Sequence, residues 1–182
     1  MEGVPGDKPV ASTDLSIGTN SVDVTLGSKF VTIHQAQLRD YIDPYDPASM
    51  TTTGWSTPTI VFEPHGTILG HIRERFDLGD NRWEHGGQIY SVHPMYDGRS
   101  TCGRLFIASH ITAGFGDVGF KPAWTLELKN MNEVNRVALH AGMRIGQVSF
   151  HLIVGEPEDV YNGAYTDQHD GPKVPVLGKE RF

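Results

Sequence analysis

The chain contains one cysteine, Cys102, among its 182 residues. A single thiol forms no internal disulfide and supplies no Cys-x-x-Cys pair for zinc; it fits a reducing, cytoplasmic setting, the host cytoplasm if the chain is viral. No run approaches the ~18 apolar residues of a membrane-spanning helix, and the opening MEGVPGDKPVASTD lacks the apolar centre of a signal peptide. Cations are also short. Fifteen Lys and Arg stand against 22 Asp and Glu, a net charge of −7, so no basic face is available for nucleic acid or for an anionic membrane. A few clustered arginines can still bind a small anion.

Hydrophobic residues make up 38% of the chain, enough for one domain with its own core. The 21 glycines and 11 prolines are spread throughout, a pattern of short strands and frequent turns. Residues 1–18 read as a loose arm, 19–155 as a barrel domain and 156–182 as an irregular tail. SVDVTLGSKFVTI alternates, with Val22, Val24 and Leu26 on one face. YIDPYDPASMTTTGWSTP reads as a loop or broken edge. TIVFEPHGTILGHIRERF predicts two strands about a Pro-His-Gly turn, and RVALHAGMRIGQVSFHLIV two more joined at Ala141-Gly142. RSTCGRLFIASH is the best helix candidate, about three turns long. AWTLEL alternates again, sending Trp124, Leu126 and Leu128 to the core and Thr125 and Glu127 to the other face. The expected class is all-β, a distorted barrel or jelly roll with one or two short helices.

Nine histidines invite a metal reading, but they are scattered, without an HExxH or any paired spacing. Zinc-dependent nucleobase deaminases need a cysteine pair that is absent here. Ser100 stands in no Gly-x-Ser-x-Gly elbow, and by itself reads as a helix cap. GRSTCGR supports two readings equally. Arg99 and Arg104 are surface arginines on a short helix, or they join the hydroxyls and amides of Ser100 and Thr101 to hold phosphate oxygens. Glu127 alone reads as an outward residue on a half-exposed strand, and Asp117 in GDVGF as turn chemistry.

Five stretches in order change that balance. TNSVDVTLG, GRSTCGR, HITAGFGDVGFKPAWTLEL, GMRIGQVSF and YNGAYTDQHDGP together resemble the dCTP deaminases, relatives of the trimeric dUTPases, over nearly the whole chain. The resemblance implies a homotrimer with active sites between subunits. It implies that Glu127 is the general base that activates water against cytosine C4, without zinc. Ser100 and Arg104 would hold that water and the developing charge, and Asp117 the deoxyribose 3′-hydroxyl. Backbone at Ala113 and Thr125, with Leu126 beside it, would read the base. Arg99, Thr101, Cys102 and Gly103, with Gln147, Tyr161 and Gln168, would line the nucleotide and its triphosphate. Magnesium would arrive on the phosphates, with no protein cage. The substrates implied are dCTP and dUTP, with dTTP as a candidate inhibitor.

Gly114 and Phe115 after the alanine, with Gln147 in GQ, resemble the branch that also cleaves the triphosphate to dUMP and pyrophosphate. A glycine there is expected to leave room for a second water near the α-phosphate. The chain departs from the family where Ala164 replaces a usual lysine, where Pro122 replaces a usual glycine, and where QHDGP carries an extra residue. Lys173 or Lys179 would have to compensate for Ala164. A dUTPase without deaminase activity and a non-catalytic nucleotide-binding regulator of the same fold remain as alternatives.

Overall fold

The computed structural model describes residues 15–77, 82–121, 123–157, 159–165 and 171–177. Its strands are β1 (Ser16–Ile17), β2 (Val22–Thr25), β3 (Lys29–Gln35), β4 (Met50–Ser56), β5 (Thr59–Phe62) and β6 (Thr67–His71). They continue with β7 (Arg82–His85), β8 (Gln88–Gly98), β9 (Ile107–Ala108), β10 (Thr125–Asn130), β11 (Val137–His140) and β12 (Arg144–Val154), with a single α-helix, α1 (Ser100–Arg104), between β8 and β9. Among the described residues no helix is long and apolar enough to cross a membrane.

Two five-stranded sheets run β1-β2-β12-β8-β7 and β4-β3-β6-β10-β9, and β11 pairs with β5 in a third small sheet. The all-β class expected from alternation is what the chain adopts, in a curled half-barrel arrangement. The core lies where the three sheets face one another. Val24, Tyr96, Ile145 and Val148 enter from the first, Phe30, Leu126 and Leu128 from the second, Phe62 and Leu139 from the third, and all are buried. Each such side chain contributes roughly 1.5–3 kcal/mol relative to exposure. Asn130 is fully buried yet satisfied. Its amide Nδ2 donates to the carbonyls of Phe62 (3.1 Å) and Asn135 (2.9 Å), and its Oδ1 accepts from the N–H of Asn132 (3.0 Å), tying β10 to β5 and to the turn beyond it.

Several expectations about local structure need correction. SVDVTLGSKFVTI is two strands, β2 and β3, broken at Gly27, where a Cβ would meet the His71 ring at 2.1 Å. The two strands expected around Pro-His-Gly are there, β5 and β6, each with partners elsewhere: β5 joins β11, while β6 joins β10 and β3. The same holds for β11 and β12. Within the stretch read as a loop or broken edge, MTTTGWS is β4, an edge strand of the second sheet. Ser16–Ile17, at the end of the expected arm, pair with Val22 and Asp23.

The three-turn helix shrinks to the five residues of α1. Gly103 weakens it, Phe106 turns left-handed at φ 56°, and Leu105 and Phe106 are exposed, so no apolar stripe anchors further turns.

Gly146 on β12 marks the tightest approach in the first sheet, since a Cβ there would sit 2.3 Å from the buried Tyr96 hydroxyl. Tyr96 is 2% exposed and has nowhere to move. Gly146→Ala is therefore expected to lower stability by ~1–3 kcal/mol, read as an earlier urea midpoint at fixed protein concentration. An unchanged midpoint would contradict this account of the packing.

Candidate functional site

Strand alternation decides what β10 shows to each side. Leu126 and Leu128 are fully buried, while Thr125 and Glu127 face outward and are half-buried. Glu127 lies opposite Leu69 in the ladder with β6. Its Oε2 accepts a hydrogen bond from the Ile111 N–H at 3.0 Å, and Oε1 has no partner among the described residues. Both outward side chains line a cavity of about 370 Å³, together with Ala113, Phe115, Asp117 and Tyr161.

Asp117 reaches the cavity from a tight turn. Its carbonyl accepts from the Phe120 N–H at 2.9 Å, Gly119 follows at φ +92°, and the Tyr161 N–H closes on the Val118 carbonyl at 2.8 Å. The Tyr161 ring packs on Phe120 with centroids 5.7 Å apart. The tail contributes Tyr165, Lys173 and Pro175 to the same wall. The Lys173 N–H donates to Thr125 Oγ1 at 2.9 Å, which pins that part of the tail beside Glu127.

The GRSTCGR residues form a second cluster. Arg99, Ser100, Gly103 and Gln147 border a wider hollow of about 710 Å³, along with Ser21 and Asp23. Asp23 organises it. One carboxylate oxygen takes Arg99 and the other takes Arg144 at 3.1 Å. The Ser21 hydroxyl donates to Gln147 Oε1 at 3.0 Å. The helix cap is Arg99, not Ser100. Ser100 is the first helical residue and is exposed, so its hydroxyl is not consumed in capping. A five-residue helix has little macrodipole, and the anion-attracting character of this stretch rests on its arginines. Thr101 and Arg104 are exposed, and Arg104 makes no ion pair among the described residues.

Burial limits how two of the expected lining residues can meet a ligand. The Cys102 side chain is 2% exposed, its Sγ directed at the Arg144 carbonyl (3.9 Å), and burial pushes its thiol pKa up. Leu126 faces the core with no exposed area. Only the backbone of either residue can meet a ligand. Gln168, Pro122 and Lys179 lie outside the described residues. Gly114 does not open space for water: a Cβ there would lie 2.6 Å from the Tyr96 carbonyl, so the glycine serves the close approach of two backbones.

Within a single chain the charged residues named for the site do not share one cavity, and Arg104 lines neither of the two. Glu127 and Asp117 line one cavity and Arg99 the other, and no residue lines both. The stretch between them is shared, with Ile107 to His110 on one side and Ala113 on the other. Tyr96 packs beneath it, edge-on to His110 at 5.4 Å and tilted against Trp124 at 6.4 Å.

Sequence reasoning missed Asp23, whose carboxylate holds both Arg99 and Arg144. The alternation that put Val22 and Val24 on one face already put Asp23 on the other. Among the described residues, no three His, Cys, Asp or Glu side chains converge as a metal site.

Residues 6–153 match the family model described as dCTP deaminase-like. A protein of Halobacterium salinarum named "dCTP deaminase, dUMP-forming" is 30% identical over 185 residues, 96% of this chain and 87% of that protein. One of Dictyoglomus turgidum with the same name is 33% identical over 176 residues, 94% and 84% of the two chains. Among solved structures, the 2′-deoxycytidine 5′-triphosphate deaminase from Agrobacterium tumefaciens shares the fold at a TM-score of 0.52 and 17% identity, over 80% of this chain and 44% of that one.

Proposed function

We propose, from the premise that this chain belongs to the dCTP deaminase-like family, that it deaminates dCTP and cleaves the triphosphate, releasing dUMP and pyrophosphate. One observation carries the reading: Glu127 holds a carboxylate on the wall of a cavity, one oxygen fixed by the Ile111 N–H and the other without a partner among the described residues. A fixed carboxylate with a free oxygen is equipped to take a proton from water. The hydroxide adds to cytosine C4 and Glu127 passes its proton to the adjacent ring nitrogen, where it stays; Glu127 then carries the proton of the new C4 hydroxyl to the amine, which leaves as ammonia as the C4 carbonyl forms. A second water attacks the α-phosphorus and displaces pyrophosphate. The dUMP branch rests on the names of the relatives, because the glycine at position 114 is explained by packing.

Asp117 takes the sugar 3′-hydroxyl, with Tyr161 beside it, and backbone at Ala113 and Thr125 reads the base. Arg99, Ser100, Arg104 and Gln147 take the phosphates and the charge that develops near them. These two groups meet when a neighbouring copy of the chain, in a homotrimer, presents its GRSTCGR cluster to the Glu127 cavity. Magnesium belongs to the nucleotide substrate. Zinc has no part in the proposed chemistry, and dTTP is an inhibitor to be tested. The net charge of −7 argues against a nucleic-acid partner.

The test is a product assay. Purified protein given dCTP should release ammonia, dUMP and pyrophosphate in equal amounts. Free dUTP accumulating as the end product would leave deamination without cleavage, and activity on dUTP without ammonia from dCTP would make the chain a plain dUTPase.

Lys173 supplies a further prediction. It stands in the wall shared by Asp117 and Glu127, with no ion pair among the described residues, whereas Ala164 is exposed and carries no charge. We assign it the phosphate contact that Ala164 cannot make. A charge-assisted hydrogen bond contributes ~1.5–3 kcal/mol, so Lys173→Ala is expected to raise KM for dCTP roughly 10- to 100-fold with a smaller effect on kcat. An unchanged KM would remove Lys173 from the site.

A further inference from the structure

We propose that His93 is a positioning residue for the nucleotide cavity: as a neutral ring it holds the Phe115–Asp117 segment against β8, and a proton on it draws Asp117 out of the cavity. The proposal rests on the functional reading only in assigning Asp117 to the sugar.

The segment has few ties. The Tyr96 N–H donates to the Gly114 carbonyl at 2.7 Å and the Gly116 N–H to the Pro94 carbonyl at 2.9 Å, with Phe115 bridged to Met95 between them. Neither glycine has room for a side chain, since a Cβ on Gly116 would meet Trp124 at 2.7 Å and the Pro94 carbonyl at 2.9 Å. Phe115 is therefore the one side chain that can clamp this stretch, and it does so on His93. The two rings stack with centroids 4.7 Å apart at 29°. On the other side His93 stacks on His151 at 5.3 Å and 28°, and the second nitrogen of His151, Nε2, is hydrogen-bonded to the Ser149 hydroxyl at 2.9 Å.

His93 is 8% exposed and its Nδ1 is buried with no hydrogen-bond partner among the described residues. It lies behind the nucleotide cavity. A second cavity of about 310 Å³ is lined by His93, Phe115, Asp117, Ile153, Asp159 and Tyr161, and shares Phe115, Asp117 and Tyr161 with the first. The titratable groups facing His93 are His151 on β12, Asp117 on the segment it clamps and Asp159 on the covering stretch.

An imidazolium at this position faces His151, and besides the neighbouring Pro94 carbonyl the groups that can compensate it are the two aspartates. Of these, Asp117 already borders both cavities, so it can turn from one to the other without moving its backbone far. Burial, and then His151, hold the His93 pKa below the ordinary imidazole value, against the opposing pull of the Pro94 carbonyl and Asp117. The sign follows. Well above the ordinary imidazole value the ring is neutral and the clamp is intact. As pH falls below that value toward the lowered pKa of the stack, the arrangement that accepts the proton gains, and Asp117 is withdrawn.

The test uses the full chain carrying Glu127→Gln, so that dCTP is not consumed. Its dissociation constant for dCTP is measured by calorimetry from pH 8.0 to 5.5, with and without His93→Phe, which keeps a flat ring but takes no proton. In parallel, a fluorinated phenylalanine at position 115 reports the stack by its ¹⁹F shift without nucleotide. Each unit of pKa difference corresponds to about tenfold. The expected result is an acid-side loss of affinity about tenfold larger with His93 than with His93→Phe, and a fluorine shift that titrates only when His93 is present. His93→Gln, also unable to titrate, serves if the phenylalanine variant does not fold. Coincident pH curves for the two proteins, or a fluorine signal that does not titrate, overturns the proposal. Absence of dCTP binding at every pH would sink the functional reading instead, and the fluorine signal then decides on the clamp.

Discussion

Glu127→Gln is expected to lower the rate of ammonia release from dCTP by roughly 10²–10⁴-fold, the usual worth of a positioned acid–base group, with the dissociation constant for dCTP nearly unchanged. The substitution isolates chemistry from structure. A glutamine oxygen can accept the Ile111 N–H as Glu127 Oε2 does now, so the side chain keeps its place on β10. What is lost is the second oxygen, replaced by an amide nitrogen that takes no proton from water. Leu126 and Leu128 hold the strand from the core side and do not sense the exchange. Rapid-quench kinetics with calorimetric binding on the same protein separates the two quantities, because a removed transition-state interaction appears in kcat and not in affinity. Near-normal turnover would take the general base away from Glu127 and leave Asp117 as the other carboxylate on the cavity wall.

The features read correctly from the sequence are those with one strong periodicity. AWTLEL alternates without interruption, and the structure puts Trp124, Leu126 and Leu128 inside and Thr125 and Glu127 outside. The strand MTTTGWS carries polar residues on both faces and is exposed almost throughout, so it has no alternation to read. β7 and β8 went unread, although Gly86 and Gly87, at φ +60° and +76°, are the residues a two-residue hairpin demands. The sheet order was not legible at all. β12 pairs with β2 and β8 and β5 with β11, and such long-range partners are chosen by how faces fit in the core. For the site, motif order brought out Glu127 and the arginines. It did not show that Arg99 is already fastened to Asp23, which is a contact between residues 76 apart in sequence.

That contact shapes the second large prediction. Arg99 is held by Asp23 inside its own chain, α1 is too short to swing as a lever, and β10 is fixed by the core. The proposed site therefore brings the two clusters together on one nucleotide between neighbouring chains. The ridge between them exposes Leu105, Phe106 and Ile111, at 48%, 60% and 59%, an apolar surface suited to burial against a neighbour. A ring of copies in which the arginine cluster of each chain meets the glutamate cavity of the next is a heterologous arrangement that closes. Arg104→Ala and Glu127→Gln should each be nearly inactive alone, because every site then lacks one half. After subunit exchange at equal amounts, sites drawing both intact halves from different chains form by chance in roughly one case in four. The mixture is expected to recover about that share of native activity, far above either parent. Exchange is verified by mass spectrometry of isotope-labelled chains. A fully exchanged mixture no more active than its parents would mean that both clusters serve the same chain, or that one of them serves no site at all.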